Sequence, residues 1–405
     1  MSAVGTAAPS EATLWAGRHR VVSALGVTQI LAWGSSYYLL AVLARPIAEA
    51  TGWRYGLIVG GLSLGLLVSG LVSVRVGRLI DRYGGRPVLV ASTLALVVGL
   101  LTLAAAPNLA VYFAAWLVLG FGMGAGLYDA AFSTLGRLYG MRGRGVITTL
   151  TLWGGFASTI AWPLSAFLVE GVGWRGACVA YAVLHLLVTL PLQLFVLPKE
   201  VRRPQPAPER RERRTAGGAP IGVFLLLAAI VTTAGAVSAT WSVHLITILE
   251  ESGLPLATAV GLAALVGPAQ VGARVVEMLG GGRYHPIWTM TAGVFLVAMG
   301  IGLLFAQAML PALALMAYGA GNGVFSIARG TLPLALFGAE GYARLMGRLA
   351  MPSLIAQALA PAVAALAMTL GGAHATLALL LALAAVNAGA VLVLVVTTGR
   401  MRKAG

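Results

Sequence analysis

Long apolar runs alternate along the chain with short charged or Pro/Gly-rich breaks. The runs lie at 21–44, 56–76, 87–106, 109–136, 146–169 and 176–197, and then, after a polar gap, at 220–248, 256–273, 287–306, 311–336, 349–370 and 375–397. An α-helix rises 1.5 Å per residue, so about 20 apolar residues cross a bilayer core of ~30 Å. Each run is long enough for a crossing or close to it. The pattern predicts an all-α membrane protein with twelve transmembrane helices in two six-helix bundles. The gap, "PKEVRRPQPAPERRERRTAGGAP" at 198–220, has almost no large apolar residue and reads as a disordered or partly helical linker. The domain plan is a tail at 1–20, a bundle at 21–197, a basic linker at 198–219, a bundle at 220–397 and a tail at 398–405.

Composition agrees with that plan, because 59% of the 405 residues are hydrophobic and only 10% are charged. A net charge of +15 would suggest a nucleic-acid partner in a soluble protein. In a membrane protein the cations sort by side instead. Of 27 Lys and Arg, 23 fall in the tails, the linker and the loops on that same side, while Arg45, Arg54 and Arg175 fall opposite. The positive-inside rule places both termini and the linker in the cytoplasm, and the bacterial cytoplasmic membrane is the expected location. No cleaved leader is expected, since the first run starts late and more spans follow. The single cysteine, Cys178, excludes an intrachain disulfide. One cation, Arg329, is left inside a span, the tenth.

The two sets of spans resemble each other. "GRLIDRYGG" (77–85) aligns with "ARVVEMLGG" (273–281), which sets Arg78 against Arg274 and Asp81 against Glu277. "GFGMG" (120–124) aligns with "GAGNG" (319–323), and Pro163 with Pro361, at nearly the same offset. Three ungapped matches of this kind indicate a duplicated six-helix unit.

With these features the chain resembles the major facilitator superfamily of secondary transporters over essentially its full length. "GRLIDRYGGRP" carries the resemblance: Gly77, Leu79, Asp81, Arg82, Gly84 and Arg86 match the family's G-x-L-x-D-R-x-G-x-R signature between spans 2 and 3. The resemblance implies the family's twelve-helix fold and alternating access, with Gly77, Asp81, Arg82, Gly84 and Arg86, together with Arg274 and Glu277 of the matching segment, forming gate contacts. Physically, the glycines allow a tight turn and close helix approach, and Asp81 suits a helix N-terminus. Two departures weaken a drug/proton antiporter reading. Trp116 stands where many such antiporters carry an arginine, and "WPLSAF" (162–167) keeps only the proline of their span 5 motif.

The family's cavity is lined by spans 1, 4, 7 and 10, and in this chain spans 1, 7 and 10 each carry a polar or aromatic stripe. Gln29, Trp33 and Tyr37 recur every four residues on one face of span 1, with Tyr38 beside them. Span 7 offers Thr233, Thr240, Trp241 and His244, and span 10 offers Asn322, Ser326 and Arg329. Aromatic residues in such stripes also serve plain interhelical packing, and threonines also bond their own helix backbone. His185 reads as structural, while Gln270 and Gln357 either face the cavity or join helices.

In span 4, Asp129 is the one carboxylate well inside a span, and the half repeat sets it opposite Ala328 and Arg329. Charges at such depth cost about 2.5–3.5 kcal/mol on insertion scales and therefore serve a function or a partner. Two readings stand for each: Asp129 as a gate contact or a proton-coupling site, and Arg329 as an anchor for substrate or a gate partner. The sequence has no HExxH, P-loop or intramembrane His/Asp cluster, so neither enzyme activity nor a cofactor or metal is expected. The expected function is secondary transport of a small organic solute, an amphipathic anion such as a monocarboxylate, coupled to protons, by a monomer in the bilayer. The alternative is proton-driven efflux of drugs or other toxic compounds.

Overall fold

The computed structural model describes residues 15–200, 221–280, 283–307 and 310–404, with side chains described to position 399. Most of the expected linker and of the N-terminal tail lies outside the described residues. Among those described, every regular element is helical. The α-helices are α1 (Arg18–Gly34), α2 (Leu39–Thr51), α3 (Tyr55–Tyr83), α4 (Gly85–Ala105), α5 (Leu109–Gly126), α6 (Tyr128–Tyr139), α7 (Gly143–Gly155) and α8 (Ala157–Leu184) before the linker. After it come α9 (Ile221–Glu251), α10 (Leu256–Ala263), α11 (Val266–Leu279), α12 (Pro286–Phe305), α13 (Pro311–Phe337) and α14 (Tyr342–Ala404). Helices are the outcome that lipid demands of such apolar runs, since each backbone N–H and C=O must find a partner within its own segment. Large apolar side chains such as Phe195, Leu187 and Leu370 are 84%, 70% and 79% exposed, as a surface in contact with hydrocarbon requires.

Nine helical stretches among the described residues are long and apolar enough to cross a membrane, and two of them, Leu109–Val196 and Tyr342–Gly399, are much longer than one crossing. Glycines divide both. Gly173, at φ +72°, leaves the helical region within α8, and Gly371 and Gly372 do so within α14. These breaks fall between the fifth and sixth and between the eleventh and twelfth expected spans.

Further interruptions lie inside expected spans, among them those in spans 1 and 4. Between α1 and α2 the chain turns through Ser35–Tyr38, where the Ser35 hydroxyl lies 2.7 Å from His185 Nε2 and the Ser36 hydroxyl bonds the Ala32 carbonyl at 2.6 Å. Between α5 and α6, Leu127 is extended and the Gly126 carbonyl is freed. Gln29 fills that vacancy by donating to Gly126 O at 2.7 Å. Side chains thus satisfy the backbone where the helical ladder stops. Beside the first break, α8 is followed by two π-helical turns, His185–Thr189 and Leu192–Val196.

Helices from before and after the linker clasp at the end where the linker attaches. Gly77 of α3 lies so close to the Ala343 carbonyl of α14 that any side chain there would overlap it, and Gly347 sits equally close to Ser73. The Ser73 hydroxyl donates to Gly347 O at 2.9 Å. Tyr342 lies on Gly136, and Leu334, Tyr342, Ala343 and Met346 enter the same core as Leu135 and Ile147. Of the helices that form spans 5 and 8, only α7 and α11, the segments nearer the linker, pack together across the halves, while α8 and α10 make no comparable contact. Among the described residues the halves meet at the linker end, and no comparable contact joins them at the other.

This geometry makes a specific forecast for Gly77→Val. The added methyls collide with the Ala343 backbone, which has no flexible end to give, so the clasp opens. A Ser73→Cys reporter, at a position now 3% exposed, should then react faster with a water-soluble maleimide, while buried Cys178 stays silent. An unchanged labelling rate would count against the clasp.

Candidate functional site

The signature segment builds the clasp. Asp81, near the end of α3, pairs with Arg344 of α14, and its backbone carbonyl accepts from Arg137 of α6. Arg137 in turn pairs with Glu200, whose other oxygen accepts from Gly85 N at 2.9 Å at the start of α4. Gly84 holds φ +90° at the junction of α3 and α4, a backbone region open to glycine and strained for other residues. Arg86 reaches the Leu197 carbonyl at 3.5 Å, and Arg82 lies over the Tyr83 ring, 5.1 Å from its centroid. Glu277 accepts from Thr289 at 2.8 Å and meets Arg144 at 3.9 Å. Arg274, the repeat partner of Arg78, lies elsewhere, buried at 5% exposure between α7 and α13.

Further in, Asp129 and Arg329 meet. Arg329 Nη2 lies 2.9 and 2.7 Å from the two Asp129 oxygens, joining α6 to α13 across the halves. Asp129 stands in the first turn of α6, where the helix dipole favours a negative charge. Both side chains keep under a fifth of their exposure. The half repeat that set the two residues opposite each other in sequence therefore ends in a direct bond.

The next layer is aromatic. Trp33 contacts Tyr37, Tyr38 and Tyr128, with centroids 5.2, 5.9 and 5.1 Å away, and Tyr38 meets Trp162 edge-on at 6.0 Å. Trp162 is 46% exposed, and Trp33 and Tyr37 belong to one packed cluster with Leu354 and Ala358 of α14, so this group forms a wall between the halves. Trp33 is fixed by Gln29, which accepts its indole N–H at 3.2 Å. Both ends of the Gln29 amide are engaged, by this bond and the one to Gly126, and the side chain positions the wall from behind.

The stripe of the seventh span is placed differently. Trp241 stacks on Tyr318 at 4.0 Å, 2% exposed, and Thr240 is 1% exposed; both lie in the interior of the second half. His244 bonds the Pro361 carbonyl at 2.9 Å, and the Thr233 hydroxyl returns to its own helix. Asn322 borders a small cavity within the second half together with Tyr318 and Asn387. Ser326 accepts from Arg274 at 3.2 Å. His185, Gln270 and Gln357 stay apart from the wall: His185 bridges Ser35 and Thr189, Gln270 packs its backbone on Gly323, and Gln357 bonds Ser353. Tyr128, Trp162 and Glu200 were not among the sequence candidates. The first two had a signal, as neighbours of Asp129 and Pro163 in segments already singled out, whereas Glu200 at the edge of a charged linker had none.

Two helical groups with lipid-facing exteriors, clasped at one end around a charged pair and an aromatic wall, define a membrane transporter. The chain belongs to the Major Facilitator Superfamily, whose sequence profile matches residues 24–306. Among solved structures it is similar to the human organic anion transporter MFSD10 (TETRAN), with a TM-score of 0.74 at 17% identity over 92% of this chain and 99% of that one. The fucose:proton symporter FucP of E. coli, as a variant, gives 0.71 at 15% identity over 92% and 98%. The proton:xylose symporter XylE, bound to a sugar analogue, gives 0.72 at 10% over 93% and 95%. At these identities the likeness establishes the fold. No curated protein sequence matches this one.

Proposed function

We propose that this transporter moves a small amphipathic organic anion, of which a monocarboxylate is the simplest case, together with protons. Its twelve spans form two bundles that rock about a midplane site, with the linker and both termini in the cytoplasm of a bacterial cell and the monomer as working unit. In that frame the present arrangement, closed at the linker end, faces outward. The observation that carries the reading is the Asp129–Arg329 pair: a lone carboxylate and its cation join the two halves beside the aromatic wall. A proton that lands on Asp129 removes one charge of that pair and weakens a bond across the halves, which links proton uptake to opening of the linker end. The organic anion transporter and the two proton symporters that share the fold fit this assignment.

The test is uptake of phenylpyruvate into proteoliposomes with an acid exterior, protein-free liposomes correcting for leakage. Uptake should follow the pH gradient and collapse with a protonophore, and Asp129→Asn should reduce gradient-driven accumulation at least ~10-fold. Uptake indifferent to the gradient refutes the coupling. Proton release triggered by a lipophilic cation in place of the carboxylate would establish the efflux alternative.

A further inference from the structure

Arg274 is another buried guanidinium among the described residues, and its surroundings differ from those of Arg329. Its Nε donates to the Gly323 carbonyl at 3.3 Å and to the Ser326 hydroxyl at 3.2 Å, and its Nη1 donates to the Thr151 carbonyl at 3.1 Å. All three acceptors are neutral. Among the described residues no carboxylate lies within ion-pairing distance of Arg274, whereas Arg329 holds both oxygens of Asp129. Nη2 has no hydrogen-bond partner among the described residues, and it is not sealed in as Arg329 Nε is.

The position of this charge is as telling as its lack of a counterion. The Tyr128 hydroxyl, a member of the aromatic wall, and Arg274 Nη1 donate to the same Thr151 carbonyl, at 3.4 and 3.1 Å, so the cation stands at the edge of that wall. Gly155 leaves the room for it, since a methyl group there would collide with Nη1. The guanidinium is held in place by backbone and hydroxyl acceptors on two helices, α7 and α13, from opposite halves. A pre-oriented fork with spare N–H groups, no anion of its own and an aromatic face alongside matches a carboxylate attached to an apolar body.

We propose that Arg274 is the anchor for the carboxylate of the transported anion, with the apolar part of the solute lying on Tyr38, Tyr128 and Trp33. The assignment rests on the anion reading above and names the residue that carries it. Arg329, already neutralised by Asp129, is left to the coupling between the halves.

The full chain in detergent is titrated with phenylacetate and with phenylacetamide, which has the same shape and no charge. The native protein should prefer the carboxylate. Arg274→Gln should weaken phenylacetate binding by about 10- to 100-fold, the range of a lost charge-assisted hydrogen bond, and leave phenylacetamide affinity unchanged. Loss of three hydrogen bonds can impair folding, so Arg274→Lys serves as the second variant. An ammonium lacks the bidentate fork, and phenylacetate affinity should fall about tenfold with the amide again unaffected. A folded variant of either kind that retains the native preference overturns the role of Arg274 alone. A native protein that binds the amide as well as the acid overturns the anion reading, and the anchor with it.

Discussion

Arg329→Gln is expected to destabilise the protein by about 3–5 kcal/mol and to abolish transport, and Asp129→Asn to do much the same, because removing one member of a buried pair strands the other charge. The double variant Asp129→Asn/Arg329→Gln should regain most of the lost stability, since two neutral amides in place of two charges leave nothing uncompensated. Thermal unfolding in detergent reads the first effect and proteoliposome uptake the second. Transport should stay absent in the double variant under the proposed coupling, because the carboxylate assigned to proton exchange is gone while the fold is restored. Additive losses of stability in the double variant would show that the pair does not act as a unit, and full recovery of coupled uptake would remove Asp129 from the proton path. Both oxygens of Asp129 bond Arg329 Nη2, so the two side chains share one environment and coupling is the expected result.

Asp81→Asn should slow uptake about fivefold while leaving the equilibrium affinity for phenylacetate within about threefold of native. Asp81 and Arg344 remain partly exposed, at 18% and 31%, so their pair contributes at most about 1 kcal/mol to the closed arrangement. A change near 1.4 kcal/mol shifts a two-state equilibrium tenfold, so even this modest contribution alters how long the linker end stays shut. The pair lies at the far end of α3 and α14 from the aromatic wall, which is why binding should be spared. A parallel loss of affinity would move Asp81 into the binding site. Pairing restored in the exchanged variant Asp81→Arg/Arg344→Asp should recover part of the rate, and no recovery at all would point to the Arg137 contact with the Asp81 carbonyl as the stronger link.

Much of this architecture is legible in the sequence. Apolar runs and their charged punctuation locate the helices, and the signature segment locates the clasp, because both depend on local composition and on glycines whose backbone role is strict. The half repeat sets Asp129 against Ala328 and Arg329 by its offset. What the sequence conceals comes from tertiary contacts. The break at Ser35–Tyr38 carries no Pro or Asn signal; it is sustained by His185, 150 residues away, and the break at Leu127 by Gln29. Arg274 sorts with the loop cations because the eighth apolar run ends at Ala273, yet the helix continues to Leu279 and packing of α11 against α7 and α13 buries the charge. The seventh span shows the converse: Thr240 and Trp241 look like a cavity stripe by spacing and pack into the second half instead, since period alone cannot say which neighbour a face will meet.

The interruption of the first span has a mechanical consequence. An unbroken α-helix resists bending because successive hydrogen bonds act as a continuous strut, whereas α1 and α2 meet at a four-residue turn held by a serine, a histidine and a few backbone bonds. Torque applied to the outer segment is therefore absorbed at the joint and only weakly passed to the inner one. Tyr37 and Tyr38 sit on that joint, so in the proposed binding mode a solute lying against them would press on the pivot itself, and α2 would swing over the wall while α1 and the clasp beneath it stay still.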